Sequence, residues 1–116
     1  MKKITLCGST KFKNDFLEWN ARLTLQGYLV YTVGLFGHHD KIELTKNEKI
    51  KLDVLHFNKI DNSDGIFVID VDNYVGESTH REIEYAKSKN KDIRFLTEEF
   101  PKWSENDYQY VRKESK

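Results

Sequence analysis

The chain has 116 residues, of which 38% are hydrophobic, 33% charged and 13% aromatic. That is enough for one domain with a core needing no staples, and too aromatic for a disordered chain. Lysine plus arginine and aspartate plus glutamate each number 19; with the lysines scattered, this balance argues against a nucleic-acid polymer or an anionic membrane as partner.

The first apolar run, Ile4 to Cys7, reads as a buried strand entering the loop Gly8-Ser9-Thr10. The run is too short for a signal-peptide core or a membrane span, so the expected location is a reducing cytoplasm. Cys7 is the only cysteine, which excludes an intrachain disulfide and a cysteine-based zinc cluster. Phe12, Phe16, Trp19 and Leu23 recur at three- and four-residue steps and predict a helix, with Gly27 placed for its C-terminal cap. Tyr28 to Val33 predicts a second strand, and Gly34 to Asp40 a loop. Thr45 and Glu48 have capping-box spacing and open a second helix whose apolar face is read as Ile50, Val54, Phe57 and Ile60.

Asp61 to Gly65 is turn chemistry. Ile66 to Ile69 is the most apolar run, as expected of a central parallel strand covered on both faces. Asp70 to Gly76 reads as a loop, and a third helix is expected from Thr79 to about Asn90 with Ile83 and Ala86 inward. Ile93 to Leu96 predicts a fourth strand. Pro101, the only proline, opens a polar tail over 101–116 with one more short helix, leaving a domain over 1–100.

This alternation predicts a doubly wound, three-layer α/β/α sandwich of the flavodoxin or Rossmann kind, with a mainly parallel sheet of four to five strands. Ligands of such sheets bind beyond the strand C-termini near the switch in strand order. Gly8-Ser9-Thr10, Gly34 to Asp40 and Asp70 to Glu82 would meet there. Neither the dinucleotide glycine fingerprint nor the Walker pattern is present. Gly8 and Ser9 can offer backbone N–H groups and a hydroxyl to a sugar or phosphate, or form a plain turn whose Ser9 or Thr10 caps the first helix; both readings stand. His38 and His39 lack a third ligand at suitable spacing, so no metal is expected, although the Gly37-His38 loop can still touch a ligand. His56 reads as a half-buried helix residue. Asp70 ends the most apolar strand and Asp72 follows two residues later, but a phosphate-accepting receiver domain would need its acidic pair after the first strand, where Cys7-Gly8-Ser9 stands. Thr79 and Glu82 have capping-box spacing; alternatively, Glu82 is a carboxylate projecting from the first helical turn over the sheet edge.

Gly8-Ser9 after the first strand, an acidic residue after the third, and Ser78-Thr79-His80-Arg81-Glu82-Ile83-Glu84-Tyr85-Ala86 resemble the nucleoside 2-deoxyribosyltransferases and the related 2′-deoxynucleoside 5′-phosphate N-hydrolases. The resemblance runs over roughly residues 3–97, with Glu84 where the family has glycine. It implies that Glu82 attacks C1′ of a deoxyribose and expels the base, with transfer to a second base or to water. Asp72, or failing it Asp70, would protonate the leaving base. Ser9 and Ser78 would sit near the sugar 5′ end, and Gly8, Gly37, His38 and Thr79 complete the candidate substrate-binding set. The resemblance further implies a small-molecule nucleoside or nucleotide substrate, no cofactor or metal, and a homodimer or higher homo-oligomer. The rival expectation is a non-catalytic nucleotide-binding or sensing domain on the same scaffold.

Overall fold

The computed structural model describes residues 2–103, in which four parallel strands are covered by helices on both faces. In chain order these are β1 (Lys3–Gly8), α1 (Lys13–Leu25), β2 (Leu29–Tyr31), α2 (Lys46–Asp61), β3 (Gly65–Ile69), a 3₁₀ turn (Val71–Asn73), α3 (Glu77–Ser88), β4 (Asp92–Phe95) and the single turn α4 (Leu96–Glu99). The sheet order is β2-β1-β3-β4, so the chain reverses direction across the sheet between β1 and β3. This is the expected three-layer α/β/α, Rossmann-like architecture. The predicted tail helix falls beyond residue 103, outside the described residues.

Strand alternation divides the core in two. Ile4 and Leu6 of β1 and Phe67 and Ile69 of β3 meet Phe16, Trp19 and Leu23 of α1. Their neighbours Cys7, Ile66 and Val68 face Ile60 of α2 and Ile83 and Ala86 of α3. β3 is buried throughout, as its uninterrupted apolar run required. β1 packs so closely against it that a Cβ on Gly8 would stand 2.8 Å from the Ile69 carbonyl oxygen. Gly27 (φ +99°) ends α1 in a Schellman motif, in which the N–H of Tyr28 donates to the Leu23 carbonyl and that of Gly27 to Thr24.

Three expectations are corrected. β2 is only three residues long. α2 begins at its capping box as expected, but Ile50 and Val54 are half-exposed rather than buried. They continue the stripe of Phe57, whose ring meets Tyr85 of α3 edge-on at 4.8 Å, beyond the point where neighbouring elements cover it. The inward stripe of α2 is instead His56 and Ile60. Third, α3 begins at Glu77 after Gly76, two residues before Thr79. Trp103, assigned by sequence to the tail, packs on Trp19 at 5.1 Å and donates its indole N–H to Asp15.

Candidate active site

The three predicted segments do converge at the C-terminal ends of β1 and β3. The N–H of His38 in the β2–α2 loop donates to Thr10 Oγ1 in the β1–α1 loop. Lys11 Nζ lies 3.4 Å from the centroid of the Tyr74 ring, tying the β1–α1 loop to the β3–α3 loop. Between them opens a cleft of about 540 Å³, the size of a small-molecule site. Lys49, Leu52, Asp53 and His56 present one stripe of α2 to it, and Ser78, Thr79 and Glu82 line it from α3.

The earlier start of α3 changes the standing of Glu82. Gly76 is the N-cap and no side chain caps the helix, so the Thr79–Glu82 capping box does not form. Glu82 sits on the second turn rather than the first. Thr79, Glu82, Ile83 and Ala86 form one inward stripe at spacings of three, one and three, and an ionisable glutamate is the anomaly on such a stripe. Its side chain is 13% exposed, at the floor of the cleft.

Two further side chains meet it there. His56 Nε2 lies 3.6 Å from Glu82 Oε1 and 3.4 Å from Cys7 Sγ, and the three side chains bring their polar atoms within 4.8 Å of one another. Burial raises Glu82 to about 7, with the nearby Asp53 charge pushing the same way and the Cys7 thiol and Arg81 opposing. Burial, helped by Lys59, lowers His56 to about 4. Burial, and then the Glu82 charge, raise the Cys7 thiol well above its ordinary value. Despite its length, the His56–Glu82 contact is therefore not an ion pair: between about pH 4 and 7 both partners are neutral.

Of the residues singled out from sequence, Gly8, Ser9, His38, Ser78, Thr79 and Glu82 line the cleft, and Gly37, Asp70 and Asp72 do not. Ser9 and Thr10 do not cap α1, whose N-cap is Phe12; Ser9 Oγ instead accepts from the N–H of Lys11. His39 turns to Asp40, at 2.8 Å. Asp70 is buried with both carboxylate oxygens engaged: Oδ1 accepts from the N–H of Thr97 at 3.0 Å and Oδ2 from its hydroxyl at 2.6 Å. It thus clasps the end of β3 to α4. Asp72 is exposed on the 3₁₀ turn, in the left-handed region. Sequence reasoning passed over Cys7, His56 and Asp53 as site residues. Only the spacing of His56 to Ile60, one helical turn, could have placed the histidine on the inner face of α2.

No protein-family model, curated protein or solved structure matches the chain. No helix among the described residues is long and apolar enough to cross a membrane.

Proposed function

We propose that the cleft cleaves the N-glycosidic bond of 2′-deoxynucleosides or their 5′-monophosphates through a glycosyl ester on Glu82. The observation that carries this reading is the position of Glu82, a desolvated carboxyl free of capping duty at the floor of a cleft of nucleoside size. A carboxylate oxygen attacks C1′ and the bond to the base breaks, its electron pair leaving with the base. Water or a second base then attacks C1′ and gives up a proton to solvent, and the ester bond breaks to restore the carboxylate. Charge develops on the sugar in both steps, and a 2-deoxy sugar lacks the hydroxyl that would oppose it.

The leaving base needs a proton. The resemblance assigns that step to Asp72 or Asp70, neither of which lines the cleft, whereas Asp53 lines it and acts electrostatically on Glu82. We assign to Asp53 the hydrogen-bond contact that orients the base, with the proton for the departing nitrogen supplied by solvent water in the open cleft. Ser9, Ser78, Lys49 and Arg81 line the same cleft and are suited to a 5′-hydroxyl or 5′-phosphate. The half-exposed Ile50, Val54 and Leu55 on α2 support a homo-oligomer. We place the protein in the cytoplasm, where its single buried thiol stays reduced.

The test is incubation with a panel of deoxynucleosides and monophosphates, with and without a second free base, following released and exchanged bases by chromatography. Base release abolished in Glu82→Gln is expected. Full activity of that variant refutes the covalent route, and ligand-induced thermal stabilisation without any base release assigns the cleft to sensing instead.

A further inference from the structure

The floor of the cleft carries a second chemistry. Cys7 Sγ, His56 Nε2 and a Glu82 carboxylate oxygen lie within 4.8 Å of one another, each from a different element: β1, α2 and α3. Tetrahedral zinc, with bonds of about 2.3 Å to sulfur and about 2.0–2.2 Å to nitrogen and oxygen, holds neighbouring ligand atoms about 3.3–3.6 Å apart. The observed Sγ–Nε2 and Nε2–Oε1 separations are 3.4 and 3.6 Å. Three protein ligands with the cleft on the remaining side is the layout of a zinc site with an open fourth position.

We propose that Cys7, His56 and Glu82 bind Zn²⁺ at the floor of the cleft, and that the bound ion switches off the reaction assigned to Glu82.

Charge balance favours this ion. Coordination sends the thiol proton to solvent, together with the carboxyl proton where Glu82 still holds one, and a dication with one thiolate, one carboxylate and one neutral imidazole forms a site of no net charge, which burial penalises least. Sulfur and nitrogen donors select zinc or cobalt over magnesium and calcium, which take oxygen. A route of entry exists, because His56 and Glu82 both line the cleft while Cys7 lies buried behind them. With a carboxylate oxygen committed to the metal, Glu82 is no longer free to attack a sugar carbon. The inhibition therefore rests on the function proposed above, and the binding does not.

The test uses the full chain stripped with a chelator and titrated with Co²⁺, then Zn²⁺. Expected are tetrahedral cobalt bands in the visible with a thiolate charge-transfer band, saturating at one equivalent and erased by Zn²⁺. Because Cys7 is the only cysteine, the thiolate band reports on that residue alone. It is expected to vanish in Cys7→Ser, while His56→Gln keeps it with affinity weakened by at least about 100-fold. His56→Gln thus also serves if Cys7→Ser does not fold. One equivalent of Zn²⁺ is expected to suppress base release and chelator to restore it. Absence of a thiolate band on the folded wild-type chain overturns the site, and base release that persists or rises with zinc bound overturns the inhibition. A cobalt spectrum without base release in the stripped protein rejects the proposed function and leaves the site standing.

Discussion

In metal-free protein, Glu82→Gln is expected to be more stable than wild type in alkali and nearly equal to it in mild acid. Glutamine is close in shape to the protonated carboxyl that the fold prefers. The folded-state value of about 7, against an ordinary 4.5, is a shift whose full worth is about 3 kcal/mol at about 1.4 kcal/mol per unit. Because the folded value is raised, the native chain holds a proton that the unfolded chain has released. That margin is complete below about pH 4.5, shrinks as pH rises, and is gone above about 7. The substitution removes the titration. Urea unfolding with chelator present should show the variant ahead by about 3 kcal/mol at pH 8.5 and by less than about 1 kcal/mol at pH 5. An equal difference at both pH values would refute the reasoning, since it would mean that the carboxyl is as well solvated folded as unfolded. Wild type alone would conceal the effect. His56 has the opposite displacement, from 6.5 to about 4, so its stability is present above 6.5 and lost as pH falls toward 4. Across pH 4.5–6.5 the native chain holds one proton on Glu82 where the unfolded chain holds one on His56, and the two slopes cancel.

The remaining predictions are independent of one another. With a deoxynucleoside substrate, kcat/KM in metal-free protein should rise about tenfold per pH unit below about 7 and level off above it, because attack needs the ionised Glu82; a profile flat from pH 5 to 8 would exclude Glu82 as the titrating group. Asp70→Ala leaves two buried-side donors of Thr97 without their acceptor and should cost about 2–3 kcal/mol in urea unfolding. Gly8→Ala forces β1 from β3 at the Ile69 carbonyl and should cost about 1–3 kcal/mol; an unchanged midpoint would show that the strands can part freely there.

Most of the fold was legible because its signals are local. The apolar runs at Ile4 and Ile66, the period of Phe12, Phe16, Trp19 and Leu23, and Gly27 each act within a few residues. Thr45 and Glu48 form the capping box their spacing announced. Thr79 and Glu82 have that same spacing and form none, because Gly76 opens the helix earlier and turns both residues inward. The spacing is identical; what differs is where the preceding loop releases the chain. The stripe of Ile50, Val54 and Phe57 likewise has a helical period that does not say which neighbour covers it. Cys7, His56 and Glu82 come together only because β1, α2 and α3 do, so no window of the sequence contains the site.

The packing of Trp103 bears on the order in which the chain can fold as it is made. Trp19 is enclosed by Phe67, Phe100 and Trp103, at ring separations of 5.0, 4.6 and 5.1 Å. Its layer therefore stays open while the ribosome is still adding residues after β4, although α1 itself emerges before every other helix of the fold. The opposite layer, of Cys7, Ile60, Ile66, Val68, Ile83 and Ala86, is completed by Ile93 and Phe95 and needs nothing beyond β4. During synthesis the side that carries Glu82 can close first, and the side that carries Trp19 is sealed later, by Phe100 and Trp103.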